Sequence, residues 1–475
     1  MKIDKIIKQI TEKDYNEILE QFRSNKSEKF MCLFTALREG VDEEVIFENL
    51  GISEAAYYTL KSRLVDKVQQ YLYLNIPDER IALLKNVSNI DRLLFKFPKE
   101  VAVALLLKME EDLVAHDMQN ELTLVYNALK KIYINSPKYY TYTQKYNKSV
   151  AFTLSIDKAE TLLLEFNKTL RDYFLSHSEK DKSILILYKK ELSHLSAIYA
   201  SHHIKVFSKL ADVQFALYVK EPSAMVDDDT IENNLRDIIH VFKNYPDDKA
   251  YTYYMHYVDL LYFEYYFNAS SLKNAQLYLE KMKNRSKDYV FCDRYFFTSA
   301  VFIAILSYYD FKNIKADLHK DLNDFSFQID EDNFIDTILW SVLNAYALMY
   351  AQKYSLAIQQ LNNLLNQFSF KNYRQVEMEV KALLALLYIL NGRSELSEGL
   401  IRSISKWVSD NEGSIAEKLH LFLRLLKLSS NNKKKEVKVQ LVNKIVEEFY
   451  KETDITLCFL NKIGLETSHV EVLSN

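Results

Sequence analysis

Several short groupings in this chain bring together side chains that could ligate, attack or stack. His194, His202 and His203 are the densest imidazoles. On a helix His194 could come near one of the other two only across two turns, so the group reads either as a metal site or as solvated or helix-capping histidines. Asp227, Asp228 and Asp229 precede Thr230 and offer carboxylate oxygens to a cation. No glycine follows to close a tight calcium loop, and an acidic helix start accounts for the same pattern. Ser430 and Lys433 have the spacing of a serine nucleophile and its lysine base, but they lie in a polar turn without the partner motifs, as chance would place them. Between Pro137 and Lys148, Tyr139, Tyr140, Tyr142 and Tyr146 alternate with Lys138, Lys145 and Lys148, the mixture of rings and cations that holds single-stranded nucleic acid. Against that stands a general excess of tyrosine, 34 residues, alongside many Lys, Asn and Ile. These four residues share A/T-rich codons, so codon bias supplies rings without a functional reason.

The six glycines, at positions 40, 51, 392, 399, 413 and 464, allow neither a dinucleotide fingerprint nor a phosphate-binding loop. No two histidines flank a glutamate with zinc-peptidase spacing, and Cys32, Cys292 and Cys458 are scattered without metal-ligand or disulfide spacing. The expectation is a non-enzymatic protein with no catalytic residues, cofactor or metal centre.

The elements that must position any site follow from the same scarcity. The chain of 475 residues has 6 glycines and 5 prolines. An average soluble protein of that length carries roughly 12 per cent of the two together, on the order of 57. Sheets use glycine at hairpin turns, while helix interiors reject both residues, so an all-α protein is expected. Apolar residues make up 48% of the chain, enough to demand a sizeable buried core. The formal charge of −4 provides no clustered positive field for broad nucleic-acid or membrane affinity. The start, Met1 to Lys8, is interrupted by charges and does not read as a secretory signal; the most apolar run, Phe296 to Tyr309, is too short to span a bilayer and reads as a buried helix. Sparse cysteine and the absence of such segments point to a cytoplasmic protein without a membrane partner. A homo-oligomer remains open.

Along the chain, Ile3, Ile6, Ile7 and Ile10, then Tyr15, Ile18, Leu19 and Phe22, repeat at helical spacing, and Pro77-Asp78 marks a boundary between a module over 1–76 and a longer region over 77–475. Breakers at Pro137, Pro222, Pro246, Gly392 and Gly413 separate recurrent helices. The run Lys433, Lys434, Lys435 and Lys438 reads as a solvated loop and helix start, with contact to an acidic partner as the other reading. Small residues at Ala345 and Ala357, and again at Ala385 and Ser397, sit where paired helices cross closely, with Leu348, Tyr354, Leu361, Leu364, Tyr388 and Ile401 around them. A weaker copy has Ala275 and Leu279, but Phe263 where a small residue belongs. Residues 250–405 resemble tetratricopeptide repeats, although the closing proline is missing and the period exceeds the family's ~34 residues. The resemblance implies an α-α solenoid of tetratricopeptide-like helix pairs; a helical bundle would accommodate the same spacing.

Residues 28–74 carry a sharper pattern. Val45, Ile46 and Leu50 give one helix an inner face, Gly51 can take the left-handed conformation that ends it, and Ser53 can cap the next. Ala56, Tyr57, Leu60, Leu64 and Val68 then form an apolar stripe. This segment resembles the helix-turn-helix of sigma-factor region 4 and LuxR-type regulators. The resemblance implies a recognition helix whose Glu54, Ala55, Tyr58, Thr59, Lys61 and Ser62 face bases while Arg63 and Lys67 face phosphates. The charge departs from that pattern, with 11 Lys/Arg against 13 Asp/Glu over residues 1–75. A structural or protein-binding module is the other reading.

Together these features lead to the expectation of an intracellular interaction or scaffold protein that binds a peptide or protein partner in a solenoid groove. The alternative is a helix-turn-helix transcription regulator, binding DNA through 28–74, whose solenoid senses a ligand or dimerises.

Overall fold

A computed structural model describes residues 7, 10, 12–25, 27–74, 81–219, 228–246, 248–284, 300–312, 315–324, 334–411, 414–428, 435–451, 457–460, 469 and 473. Among the described residues there are 22 α-helices and no strand, so the protein is all-α. The chain divides into two compact units, Met1–Tyr146 and Asn147–Asn475.

The first unit holds α1 (Glu12–Ser24), α2 (Glu28–Glu39), α3 (Glu43–Asn49), α4 (Glu54–Leu74), α5 (Ile81–Ser88), α6 (Ile90–Lys96), α7 (Lys99–Ala115), α8 (Gln119–Ile132) and the start of α9 (Lys138–Ser176). Helices α1, α2 and α4 pack on one another around Ile18, Phe22, Phe34, Leu37, Leu64 and Val68, to which α3 adds Ile46. Arg38 ties the segment before α1 to this cluster: its guanidinium donates to the Ile7 carbonyl, to the Ile10 carbonyl at 3.0 Å and to Glu12 at 2.7 Å. A separate apolar cluster joins Val87 and Ile90 to Leu106, Leu113, Leu122, Val125 and Leu129. Two residues expected on inner faces are turned outward, Val45 on α3 and Ala56 on α4. On α3, seven residues long, Ile46 is buried in the cluster and Leu50 at its end packs against it.

The second unit continues with the rest of α9 and with α10 (Glu179–Ile198), α11 (His202–Tyr218), α12 (Asp228–Asn244), α13 (Lys249–Asn268), α14 (Leu272–Asn284), α15 (Ala300–Phe311), α16 (Lys315–Asp324), α17 (Phe334–Tyr350), α18 (Tyr354–Gln367), α19 (Arg374–Leu390), α20 (Ser394–Asp410), α21 (Ser414–Leu428) and α22 (Lys435–Lys451). Successive helices pack on each other from α10 to α14 and from α17 to α22. Alternate ones also touch: α11 with α13, α13 with α15, α15 with α17, and α19 with α21. One continuous apolar cluster runs through the unit.

A single turn geometry recurs between packed neighbours. After α13, Ser270 is left-handed at φ 57°, its N–H bonds the Phe267 carbonyl at 3.0 Å and the Ser271 N–H bonds that of Tyr266 at 2.8 Å. Gln352 after α17 (φ 58°) repeats this with Met349 at 3.0 Å, while Lys353 bonds Leu348 at 2.8 Å. Gly392 after α19 (φ 71°) repeats it with Ile389 at 3.0 Å, while Arg393 bonds Tyr388 at 2.8 Å. In the first unit Asp117, between α7 and α8, has the same arrangement at φ 53°. Each is a left-handed helix stop that satisfies two terminal carbonyls and starts the next helix two residues later.

The small residues singled out by spacing are all buried: Ala345, Ala357 and Ala385 at 0% exposure and Ser397 at 2%. Phe263 is buried too, in contact with the Tyr308 ring at 5.9 Å. The described part of the most apolar run, α15, is buried. Lys438, expected in solvent, is buried on α22, its stem available for packing as long cationic side chains allow; Lys433 and Lys434 lie outside the described residues. Among the described residues no helix is long and apolar enough to cross a membrane.

Candidate functional site

The α3–α4 turn is built from local chemistry. Gly51 is left-handed at φ 61° and its N–H bonds the Glu48 carbonyl at 3.0 Å; the Ser53 hydroxyl accepts from the Ala56 N–H at 3.4 Å. Burial of Tyr57, Leu64, Val68 and Tyr71 then fixes the roll of α4. That roll exposes Tyr58, Thr59, Ser62, Arg63 and Lys67. Thr59 donates back to the Ala55 carbonyl at 2.9 Å, and the Lys67 ammonium stands 5.4 Å from the Phe30 ring.

Lys61 behaves differently. Its ammonium lies 2.6 Å from Glu43, whose other oxygen accepts from the Tyr58 hydroxyl at 3.3 Å. The Lys61 hydrogen bond holds the Glu43 carboxyl below its ordinary range, and the resulting negative charge raises the Tyr58 phenol. Asp42, Glu44, Glu48 and Glu54 are exposed nearby in sequence. The surface thus has two accessible cations, Arg63 and Lys67, beside several carboxylates, a poor match to phosphates and a better one to a mixed-charge protein surface.

The tyrosine–lysine segment is engaged internally in the first unit. Tyr142 stacks on Tyr133 with 5.4 Å between centroids, Lys145 pairs with Glu110 at 2.7 Å, and Lys130 sits 4.1 Å from the Tyr146 ring. Burial, with the Glu110 charge, raises the phenols of Tyr126, to about 12, and Tyr142. A stacking surface for single strands is therefore not laid open here: of these rings Tyr140 is the prominently exposed one, at 72%. The same unit has a surface cavity of about 400 Å³ bordered by Arg92, Leu93, Lys96, Phe97, Lys108 and Asp112, in which Lys108 pairs with Asp112 at 2.9 Å.

His194 is exposed, while His202 and His203 are half-buried. His202 stacks on Tyr245 with 3.7 Å between centroids and hydrogen-bonds the Tyr251 hydroxyl; His203 is 2.7 Å from Asp248. Asp248 also caps α13, accepting from the Ala250 N–H at 3.0 Å. Burial alone would raise its carboxyl; the His203 and Ala250 contacts outweigh that and hold it below the ordinary range. Asp227, Ser430 and Lys433 lie outside the described residues, and α12 begins at Asp228.

The least anticipated arrangement surrounds Glu379. Both α17 and α19 are buried on nearly every face. Glu379, at 0% exposure on α19, accepts from the backbone N–H groups of Cys458 (2.9 Å), Phe459 (3.0 Å) and Leu460 (3.2 Å), and from the Gln375 amide at 3.3 Å. Tyr346 on α17 donates to the Phe459 carbonyl at 3.5 Å, and the Cys458 thiol donates to the Leu175 carbonyl at 3.3 Å. Leu457, Phe459, Leu460, His469 and Leu473 are buried. Burial pushes the Glu379 carboxyl up against the four hydrogen bonds that favour its charge, and burial beside Glu379 raises the Cys458 thiol. In the sequence the signal is a carboxylate falling in an apolar stripe, since Val376, Val380 and Leu383 flank Glu379 while Glu377 pairs outward with Lys381 at 2.8 Å. Comparison with protein-family models, with curated proteins and with solved structures finds no match for this chain.

Proposed function

We propose that this is a non-enzymatic interaction protein whose second unit is a solenoid of tetratricopeptide-like helix pairs that docks a peptide or protein segment. The observation that carries the reading is that the faces of α17 and α19 bearing Tyr346 and Glu379 hold a chain segment by its backbone, and stacked helix pairs offer such faces to partners. Recurrence of the turn at Ser270, Gln352 and Gly392 supports the repeat. The test is selection of peptides from a displayed library on the full chain, followed by amide exchange of the complex. Slowed exchange on α17 and α19 is expected. An enriched peptide that protects other helices, or no enriched peptide at all, overturns the reading.

A second reading is favoured by the Gly51–Ser53 turn and the exposure of Thr59, Ser62, Arg63 and Lys67: a transcription regulator whose residues 28–74 form a helix-turn-helix. A mobility shift of mixed duplex DNA by the full chain separates the two. A salt slope equivalent to several phosphates favours the regulator, and no shift at low salt removes it.

A further inference from the structure

A carboxylate without solvent contact is tolerated only where donors replace its water. Glu379 has four, and three come from consecutive backbone N–H groups of a segment about 80 residues away in sequence, 79 to 81 positions on. Three successive N–H groups converging on one carboxylate form the anion-binding concavity found in turns and at helix starts. Such a contact reads the conformation of the visiting backbone more than its side chains. A permanent seam between two parts of a core is more cheaply filled by packed apolar residues than by a buried carboxylate. A seam that opens is different. When the segment leaves, Glu379 and Gln375 hydrate, and the bared face is less apolar than an all-leucine one.

The visiting segment is itself buried against the unit's apolar cluster. Leu457, Cys458, Phe459 and Leu460 are its described anchors, with the Tyr346 hydroxyl donating to the Phe459 carbonyl at 3.5 Å and the Cys458 thiol to the Leu175 carbonyl at 3.3 Å. His469 and Leu473 are buried further on, the imidazole ring 6.3 Å from that of Tyr350 on α17. The two inner helices that would receive a partner are thus already covered, by the chain itself.

We propose that residues 457–460 are a resident pseudo-ligand: the α17–α19 face is a docking site closed in cis by the chain's own C-terminal segment, and it accepts in trans an apolar segment that turns to present three successive backbone N–H groups to Glu379. This rests on the docking function proposed above and adds its regulation and the chemistry of its partner.

Two measurements decide it. In the unaltered full chain, amides 458–460 should exchange through a local opening, about tenfold or more faster than the amides of α19 between Val380 and Leu387. Identical exchange of both sets makes the segment an integral part of the core and overturns the proposal. Second, a fluorescein-labelled synthetic peptide with the sequence of residues 452–475 is titrated into the unaltered chain and into full-length Phe459→Ala. The loosened variant should bind it about tenfold more tightly, and adding Glu379→Gln should remove about tenfold of that affinity. Equal affinity for both chains, or none for a Phe459→Ala chain that retains its helicity, overturns the proposal. So does a mass that doubles with concentration, since the segment would then be exchanged between two copies. If Phe459→Ala fails to fold, the exchange measurement on the unaltered chain decides alone. Failure of the peptide while a library-selected peptide still protects α17 and α19 removes only the cis competitor; failure of both removes the docking site.

Discussion

The Lys61 ammonium lies 2.6 Å from a Glu43 carboxylate oxygen, joining the helix that would read DNA to the helix before it. The pair cancels the charge of Lys61, whose side chain is only 15% exposed. Glu43→Gln keeps the shape and removes the negative charge. Because the carboxylate is 44% exposed, water already screens the pair, and the expected loss of stability is below about 1 kcal/mol. Should residues 28–74 contact DNA, the freed Lys61 adds about one phosphate contact, steepening the salt dependence of binding by ~0.9 in the log–log slope. The measurement is a titration of duplex DNA at several salt concentrations. An unchanged slope in a variant that binds DNA places Lys61 away from the backbone.

The left-handed helix stops give a pair of opposite expectations. At Gly392, φ is 71° and a Cβ would meet nothing within 4 Å, so Gly392→Ala costs only the backbone strain, about 1 kcal/mol. At Gln352 the same conformation (φ 58°) already carries a side chain, so Gln352→Gly relieves strain of the same order, less the extra freedom glycine gains when unfolded. Thermal melts should move down for the first and stay level or move up for the second. A fall of equal size in both would mean that the two turns are not equivalent.

These turns also explain which parts of the molecule are legible in its sequence. Scarcity of chain breakers announces helices, and Gly51 announces its own turn. The recurrent stop is hidden because its left-handed position is filled by Asp117, Ser270, Gln352 and only once, at Gly392, by the residue that advertises it. Small residues such as Ala345 and Ala357 are instead the sequence signal for the proposed repeat. Side chains whose partners are distant escape altogether. His203 meets Asp248 45 positions on, and Glu379 meets backbone N–H groups, which leave no trace in side-chain spacing. Lys438 misleads for another reason: a basic run suggests solvent, while burial is decided by tertiary packing of the stem.

The Asp248–His203 contact carries a pH dependence whose sign follows from the lowered carboxyl. The native state holds the Asp248 carboxylate in its charged form more strongly than the unfolded chain does. Its contribution is therefore complete above the unfolded carboxyl value, roughly 4, and is lost as pH falls through the lower native value. Asp248→Asn retains an oxygen for the Ala250 N–H but loses the charge. The variant should be less stable than the parent at neutral pH by about 1 kcal/mol, with the two converging as pH falls below about 4. Urea midpoints across that range test this. A gap that widens as pH falls contradicts the assigned direction.

Two adjacent residues on α18 test how closely the helix pairs approach. Ala357 is wholly buried, while its neighbour Leu356 is 52% exposed. In a close-packed contact the added isopropyl group has no room, and overpacking of this kind costs about 1–3 kcal/mol. Ala357→Leu should therefore lower the urea midpoint by that amount without changing helicity. Leu356→Ala removes a side chain that is mostly in water and should change stability by no more than about 0.5 kcal/mol. A neutral Ala357→Leu would mean that α17 and α18 stand far enough apart to admit a larger side chain, and the small residues at Ala345, Ala385 and Ser397 would lose their meaning as marks of a repeat.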